Sequence, residues 1–284
     1  MSTDFLATMA AASRARVASA LVHCPRAAME QRALAAPAPP QLVLSPQGFD
    51  LFAEVKRRSP AVGVLRAAAG DDLAARVRSY AAAGAAAVSV LTEPSRFDGA
   101  LAHLVDAAGA LAATRVPAMR KDFLVDPYQV MEARVSGAGG VLVILRMLPR
   151  AQVTALLQAA AALGLFVLLE AFDEADLDQA GELLAGATRD PAAPVLVGLN
   201  CRDLATLEIV PGRLEALAPR LPRHLPRVAE SGLDTAADAA RLAAAGYDVA
   251  LVGSALMKHA APGELIGAML AAGRRARAEG ALRG

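Results

Sequence analysis

Cysteine and tryptophan are the scarcest residues of this 284-residue chain, which has two cysteines, Cys24 and Cys201, and no tryptophan. Two cysteines cannot form a disulfide framework or a zinc cluster, so a small disulfide-stabilised secreted fold is excluded. The four histidines include no pair at the spacing of a metal site. We therefore expect no bound metal and a reducing, cytoplasmic setting.

Neither sign of charge is in excess, and no uninterrupted apolar run is long. The 29 basic and 28 acidic residues leave a formal net charge of +1, which gives no reason to expect nucleic acid as a partner. The apolar run Gly140–Leu148 is interrupted by Arg146 and falls short of the roughly 18 residues that a membrane span needs. We expect no membrane partner.

The N-terminal segment differs in composition from the rest of the chain. Residues 1–36 are amphipathic and contain four arginines, as a transit peptide would, but they are poor in serine and include Asp4 and Glu30. That composition favours a helix packed against the protein. The proline-rich residues 37–40 then break the pattern. We predict a helical extension and linker over residues 1–47 and a single larger unit over residues 48–284.

Eight strand-like apolar runs follow, separated by helical segments. They are Leu51–Lys56, Ala86–Leu91, Val116–Lys121, Gly140–Leu145, Leu165–Glu170, Val195–Asn200, Arg227–Ser231 and Asp248–Gly253. Continuous apolar runs are typical of buried parallel strands, and strand–helix alternation predicts βαβ units. A length of 284 residues fits a barrel of roughly 250 residues with additions. We predict an α/β fold, a (β/α)₈ TIM barrel with an N-terminal helical extension. The alternative is an open doubly wound sheet, but the Gly-x-Gly-x-x-Gly fingerprint is absent after the first strand.

Several of these runs end on a polar or charged residue, at the edge where such barrels keep their active sites. Glu54 and Lys56 share one face of the first strand, where two charges would be rare without a purpose. Lys121 ends the third run beside Arg120, and a lysine near another cation has a lowered pKa. Glu170 ends the fifth run and suits a general acid or base; the alternative is that it caps the next helix, a role that Asp173 already serves.

The last three runs add groups that could hold a substrate. Asn200 and the nearby Arg202 can orient a ligand, and arginine can grip a carboxylate with two hydrogen bonds. Loop polarity without function explains these two residues nearly as well. Ser231-Gly232 follows the seventh run and Gly253-Ser254 follows the eighth. The loops after strands seven and eight are the common phosphate site of barrels, so the pair predicts a phosphorylated small molecule as substrate.

Together these motifs resemble the indole-3-glycerol phosphate synthase family, from about residue 48 to 275. The resemblance is carried by 53–60 (AEVKRRSP), 91–93 with Phe97, 120–129 (RKDFLVDPYQ), Glu170, 198–204 (GLNCRDL), 230–232 (ESG) and 251–257 (LVGSALM). The family also has an N-terminal helical extension beside the barrel mouth, which fits residues 5–35. Several ordered motifs at matching separations make chance similarity an inadequate explanation.

The resemblance implies closure of an indole ring in tryptophan biosynthesis, with loss of carbon dioxide and water and without a cofactor. The implied catalytic residues are Lys121, Glu170, Lys56, Glu54 and Asn200. The implied substrate-binding residues are Ser59, Phe97, Phe123, Arg202 and Glu230. The implied phosphate-binding residues are Ser231, Gly232, Gly253, Ser254 and Lys56. In this reading Lys121 is the acid at the ketone, and Phe97 and Phe123 flank the aromatic ring. The chain is expected to be a monomer or a homodimer.

Four positions depart from the family's pattern. Cys201 replaces a second asparagine, Arg146 a small residue, and Ala171-Phe172 a Val-His pair, while the loop 186–194 is long. If Arg146 reaches the barrel mouth, a paralogue for a substituted anthranilate is one alternative. A catalytically inactive phosphate-binding barrel is another, although Lys56, Lys121 and Glu170 are all present. Phosphoribosylanthranilate isomerase is disfavoured because the first strand carries no cysteine.

Overall fold

A computed structural model describes residues 5–59, 63–64, 72–185, 193–203 and 206–282 of the chain. Eight parallel strands form its centre. They are β1 (Asp50–Val55), β2 (Ala87–Leu91), β3 (Ala118–Lys121), β4 (Gly140–Ile144), β5 (Phe166–Ala171), β6 (Val195–Asn200), β7 (Arg227–Glu230) and β8 (Val249–Val252). Each pairs with the next in chain order, and β8 pairs with β1, so the sheet closes into a barrel.

Helices surround the barrel and connect its strands. They are α1 (Phe5–His23), α2 (Arg26–Ala35), α3 (Leu73–Ala82), α4 (Pro94–Phe97), α5 (Leu101–Leu111), α6 (Pro127–Val135), α7 (Arg150–Ala162), α8 (Glu174–Leu184), α9 (Arg213–Leu217), α10 (Ala236–Ala244), α11 (Ser254–Lys258) and α12 (Pro262–Ala281). Single-turn 3₁₀ helices cover Leu145–Met147 and Ala218–Arg220. Five of the helices begin with a side-chain cap, provided by Asp72, Glu93, Asp126, Asp173 and Thr235.

The core has two layers because each strand is buried on both faces. Phe52, Met119, Phe166 and Leu168 belong to a cluster inside the barrel, where the rings of Phe52 and Phe166 lie 5.8 Å apart. A larger cluster lies between the strands and the surrounding helices. A β-barrel closed in this way has no free edge strand, and its filled interior leaves room for a ligand only at the ends of the strands.

The N-terminal helices pack against the barrel. Buried residues of α1 include Leu6, Met9 and Val17, and Arg16 donates to the Asp122 carboxylate over 2.6 Å. Helix α1 is also 19 residues long with a mean hydropathy of 1.2, which by length and composition is enough to cross a membrane. The sequence reasoning above overlooked this stretch. Its contacts with the barrel and its charged Arg16 are those of a helix packed on a protein core.

The predicted (β/α)₈ barrel and N-terminal helices are confirmed, with strand ends shifted by one or two residues. Two features were not predicted: a two-stranded ribbon of Arg58–Ser59 with Gly63–Val64 and the single-turn helices α4 and α11. All are short elements beside the barrel mouth, whose local sequence carries no periodic signal. Most of the long loop predicted at 186–194 lies outside the described residues.

Candidate active site

A cavity of about 270 Å³ opens at the carboxyl ends of the barrel strands. Its lining includes all but one of the residues predicted for the site: Glu54, Lys56, Phe97, Lys121, Phe123, Glu170, Asn200, Arg202, Glu230, Ser231, Gly232, Gly253 and Ser254. These residues come from seven different strand ends or the loops that follow them, as expected where parallel strands all end at one rim. The exception is Ser59, whose side chain lies outside the described part of the chain.

The first charged pair lies at the end of β1. Lys56 Nζ is 2.7 Å from Glu54 Oε1, and the Glu54 side chain is buried. Burial raises the pKa of Glu54, but Lys56 and Lys121 outweigh it and the net shift is downward. Glu54 is therefore a permanent anion beneath Lys56. A Cβ atom at Gly253 would collide with the Glu54 carboxylate, so glycine at this position leaves the space that the buried carboxylate needs.

Lys121 lies among carboxylates at the centre of the cavity. Its Nζ is 3.0 Å from Glu230 Oε2 and 3.6 Å from Glu170 Oε1. Burial lowers the pKa of Lys121, but Glu170, Glu230 and Glu54 more than compensate and raise it above its ordinary value. The predicted lowering by Arg120 was wrong, because Arg120 points away from the cavity and donates to Asp122 and the Gln129 carbonyl. Lys121 is therefore a stable cation at neutral pH.

Glu170 and Asn200 form the next pair around the rim. Asn200 Nδ2 donates to Glu170 Oε1 over 2.8 Å, and Asn200 Oδ1 accepts from the backbone N–H of Arg202 over 2.9 Å. Both the nitrogen and the oxygen of the amide therefore have a hydrogen-bond partner, which fixes the orientation of the amide. The amide in turn holds the Oε1 atom of Glu170 in place. The guanidinium of Arg202 in turn donates to the carbonyl of Leu207, which stabilises the loop after β6 over the cavity.

Glu230 is the least solvated carboxyl group of the site. It is 1% exposed, and among the described residues its Oε1 atom has no hydrogen-bond donor. Burial raises the pKa of Glu230 to about 8, with a further contribution from the Glu170 carboxylate, while Lys121 opposes the shift. The neighbouring strand makes room for it, because a Cβ atom at Gly198 would collide with Oε1. Glu230 was predicted as a substrate-binding residue, and in the structure its own partner is Lys121.

Another part of the lining contains the residues that were predicted to bind a phosphate. Ser231 and Gly232 both have φ of +69°, which is unusual for serine and easy for glycine. Gly253, which lines the cavity, is the N-cap of α11, and no side-chain cap bonds the first backbone N–H groups of this short helix. Lys258, at the end of α11, also lines the cavity and was not predicted. Together with Lys56 these groups can bind a phosphate.

Aromatic side chains line another wall. Phe97 and Phe123 lie with ring centroids 6.2 Å apart, and Phe5 of α1 meets Phe123 edge-on at 5.8 Å. Phe172 belongs to the same lining. The sequence reasoning missed Phe5 and Phe172 as lining residues, because neither lies in a run whose pattern distinguishes cavity from core. The result is an apolar slot that fits a planar ring.

Two of the unusual positions lie outside this lining. Arg146 does not reach the cavity: it pairs with Asp173 and Asp176, and its guanidinium lies 5.1 Å from the Phe172 ring centroid. Cys201 is 2% exposed and packs under the rim beside Gly232, and burial raises the pKa of its thiol. Within the described residues, no group of three or more His, Cys, Asp or Glu side chains is arranged to hold a metal ion.

Comparison with known proteins shows the family. The family model for indole-3-glycerol phosphate synthase matches residues 6–268. The indole-3-glycerol phosphate synthase of Micrococcus luteus is 42% identical over 255 residues, covering 87% of this chain and 90% of its own. That of Mycobacterium avium is 40% identical over 248 residues, covering 86% of both chains.

Solved structures with little sequence identity share the fold alone. The 3-hexulose-6-phosphate synthase of Salmonella typhimurium superposes with a TM-score of 0.59 at 14% identity, over 81% of this chain and 99% of its own. A tryptophan synthase of M. tuberculosis gives 0.58 at 16% identity, over 81% of this chain and 94% of its own. The family match over nearly the whole sequence, together with the barrel and its cavity, places the protein: the chain belongs to the indole-3-glycerol phosphate synthase family.

Proposed function

We propose that this chain is an indole-3-glycerol phosphate synthase that converts 1-(2-carboxyphenylamino)-1-deoxyribulose 5-phosphate to indole-3-glycerol phosphate, carbon dioxide and water. The observation that carries the proposal is Lys121, a buried cation between Glu170 and Glu230 at the mouth of a barrel of this family. Ring closure needs an acid at a ketone, and a lysine kept protonated by its neighbours supplies one.

The substrate's two ends match the two sides of the cavity. The phosphate would lie against Ser231, Gly232, Gly253 and Ser254, with Lys56 and Lys258 as cations in the same lining. The carboxyphenyl ring would lie in the slot of Phe97 and Phe123. Arg202 lines the same cavity and can bind the ring's carboxylate until carbon dioxide leaves. This orientation places the ketone between the two ends, near Lys121.

In the first half of the reaction, the ring carbon that bears the carboxylate attacks the ketone. Lys121 polarises the carbonyl and donates a proton to its oxygen as the new carbon–carbon bond forms. The bond to the carboxylate then breaks, carbon dioxide leaves, and its electron pair restores the aromatic ring. The burial of Lys121 increases its effect, because a charge in a water-poor cavity interacts more strongly with a developing oxyanion.

In the second half, the new hydroxyl group leaves as water. This step needs an acid at the hydroxyl and a base for a proton of the five-membered ring, and Glu170 and Lys56 are the available pair. Asn200 orients Glu170, and Glu54 holds Lys56, in the contacts described above. Glu54 and Asn200 therefore act by positioning the two groups that exchange protons. Glu230 forms an ion pair with Lys121 and lines the cavity in which the substrate would lie.

The remaining features of the proposal concern the setting of the enzyme. We propose a cytoplasmic enzyme that acts as a monomer or homodimer and uses no metal or organic cofactor. The chemistry supports the last point, because the aromatic ring and the adjacent ketone can take up the electrons that move during ring closure. The two cysteines are unpaired, as expected in a reducing compartment.

The test uses the absence of tryptophan from the chain, which leaves the indole product as the dominant fluorophore. Purified protein is mixed with the carboxyphenylamino-deoxyribulose phosphate in the presence of EDTA, and indole fluorescence is followed. We expect fluorescence to grow at a rate proportional to enzyme concentration and to be unaffected by EDTA. Folded protein that binds the substrate without producing indole would contradict the assigned reaction. Activity that disappears with EDTA would contradict the metal-free mechanism.

A further inference from the structure

Phe172 and Arg146 lie next to each other at one side of the cavity. Phe172 lines the cavity, is 2% exposed, and packs in the same apolar cluster as Phe123 and Ile144. Arg146 lies behind it, outside the lining, with its guanidinium 5.1 Å from the ring centroid. A guanidinium over an aromatic face is attracted by the ring's electrons and restricts its orientation.

Two carboxylates fix Arg146 in that place. Asp176 Oδ2 accepts from Arg146 Nε over 2.8 Å, and Asp173 pairs with the terminal nitrogens. The same Asp176 oxygen accepts from the backbone N–H of Phe172 over 2.8 Å. Asp176 therefore holds the backbone of Phe172 while Arg146, bound to Asp176, covers its ring. Four residues, from the end of β4 to the start of α8, form one connected support for a single wall of the cavity.

We propose that Arg146 is a positioning residue that fixes Phe172 as a wall of the aromatic subsite, and that this wall selects substrates whose ring carries no polar substituent on the edge that faces it. The inference rests on the proposed function, because it concerns the ring of that substrate. Arg146 lies outside the cavity lining, so it does not contact the substrate directly. Its effect on the substrate is transmitted through Phe172.

This wall of the cavity cannot form hydrogen bonds with a ligand. The side chains of Phe172, Ile144 and Leu142 line this part of the cavity and offer no donor or acceptor. A hydroxyl group on the ring edge would leave water and find no partner there, whereas a methyl group of similar size would not pay that penalty. A histidine at the position of Phe172 would supply a partner. Discrimination by an apolar pocket against a hydroxyl reaches about a hundredfold.

The experiment compares pairs of substrates that carry a methyl or a hydroxyl group at the same ring position, along with the unsubstituted substrate. For wild-type enzyme we expect the methyl compound to have the higher kcat/KM, by about 10- to 100-fold at the ring position that faces Phe172. Phe172→His should reduce that ratio by about tenfold, because the imidazole offers a hydrogen-bond partner to the hydroxyl group.

Arg146 is tested by a variant that folds without leaving a buried carboxylate unpaired. Arg146→Met combined with Asp176→Asn removes the cation and the charge together, and asparagine can still accept from the N–H of Phe172. We expect KM for the unsubstituted substrate to rise about three- to tenfold with kcat little changed, since the wall contributes equally to ground and transition states. The methyl-to-hydroxyl ratio should also fall. Arg146→Lys should recover only part of both effects, because an ammonium group cannot bridge the carboxylates and cover the ring as a guanidinium does.

The matched control is Arg220→Gln. Arg220 also pairs with two carboxylates of α8, Glu174 and Asp178, but lies away from the cavity lining. This variant should keep the wild-type KM and the wild-type methyl-to-hydroxyl ratio. If the Arg146 and Phe172 variants behave like the Arg220 variant, the inference is wrong while the proposed function stands.

Failure of the proposed function itself is seen separately, in the wild type. Calorimetry with the alcohol made by reducing the substrate's ketone, which cannot cyclise, measures binding independently of turnover. Wild-type protein that neither binds this alcohol nor forms indole overturns the proposed function, and the inference with it. Tight binding and normal turnover with no discrimination between methyl and hydroxyl compounds overturns the inference alone.

Discussion

The two ends of the barrel use the same kinds of charged residue in opposite ways. At the amino end, Asp50 is the first residue of β1 and Asp248 immediately precedes β8. Each forms an ion pair with an arginine of α12: Asp50 with Arg274, and Asp248 with Arg277. Asp248 also accepts from the backbone N–H and the guanidinium of Arg227 over 2.9 and 3.2 Å. Every carboxylate named here has cations and backbone donors close by. The arrangement fastens the last helix to the first strand.

At the carboxyl end, several carboxyl groups are brought together. Glu54, Glu170 and Glu230 are 2%, 3% and 1% exposed and surround Lys121, and one Glu230 oxygen has no donor among the described residues. Three buried carboxylates around a single lysine and its neighbour Lys56 destabilise the fold relative to one-to-one pairs. Such a cluster persists where function requires it. We infer that pairing at one end serves stability, whereas crowding at the other serves the chemistry proposed above.

The largest expected effect comes from Lys121→Met, which removes the central cation. We expect kcat to fall by about 10²- to 10⁴-fold, because the acid for the ketone is lost. The fold should persist, since the neighbouring carboxyl groups can take up protons in place of the lost cation. Steady-state kinetics and circular dichroism measure the two effects. A variant with near-wild-type turnover would show that Lys121 is not the acid and that the crowded cluster has another purpose.

The second effect is the pH dependence of stability that Glu230 imposes. Its pKa is raised to about 8 in the folded protein from an ordinary value of 4.5. Between these values the folded state holds a proton that the unfolded chain has released, so the free energy of unfolding falls as pH rises from about 4.5 to 8. The expected loss over this range is about 4–5 kcal/mol.

Urea denaturation at a series of pH values, for wild type and Glu230→Gln, measures that loss. Glutamine cannot titrate, so the variant should lose less stability than wild type as pH rises through this range. Parallel pH profiles for the two proteins would mean that Glu230 is already ionised at low pH, and the contrast between the two ends of the barrel would weaken.

A third prediction tests whether glycine makes room for the crowded carboxylates. In Gly198→Ala the new methyl group collides with Glu230 Oε1, and Glu230 must move relative to Lys121. We expect kcat/KM to fall about 10- to 100-fold, because small displacements of catalytic groups are costly. The matched control is Gly181→Ala in α8, where a Cβ atom meets nothing within 4 Å. It should keep full activity and gain about 0.5–1 kcal/mol of stability from better helix propensity. Equal activity in the two variants would contradict the role assigned to Gly198.

The fold and the list of residues that line the site could be predicted from sequence. The fold follows from the recurring apolar runs, and the lining residues follow from their positions at the ends of those runs. Continuous apolar runs identified the eight strands, and Lys121, Glu170 and Asn200 end three of them, so their meeting at one rim follows from parallel pairing. The pairings among these residues could not be predicted. Which carboxylate faces Lys121 depends on barrel stagger and on side-chain rotamers, and neither leaves a pattern in the sequence.

The errors have the same origin. The pKa of Lys121 was expected to fall because Arg120 is adjacent in sequence, but consecutive residues of a strand point to opposite faces. The sequence left open whether Arg146, which follows β4, reaches the cavity; the 3₁₀ turn of Leu145–Met147 directs it behind Phe172 instead. Phe5 lines the cavity only because α1 crosses the barrel mouth. Such features depend on tertiary packing between segments far apart in the chain.

The smallest expected effect, and the sharpest test of the comparison, is Asp248→Asn at the amino end. Asparagine keeps one acceptor for Arg227 or Arg277 but loses the charge, and we expect a loss of about 1–2 kcal/mol, seen as a fall in Tm of about 2–6 °C. Turnover should stay within about twofold of wild type, because the change lies at the opposite end of the barrel from the cavity. The control is Arg150→Gln, which removes an exposed pair with Glu182 and should cost no more than about 0.5 kcal/mol. A double-mutant cycle with Arg277→Met would separate the ion pair from the backbone contact. If Asp248→Asn lowered kcat while leaving stability unchanged, charge at the amino end would also influence the chemistry, and the division of labour between the two ends would have to be abandoned.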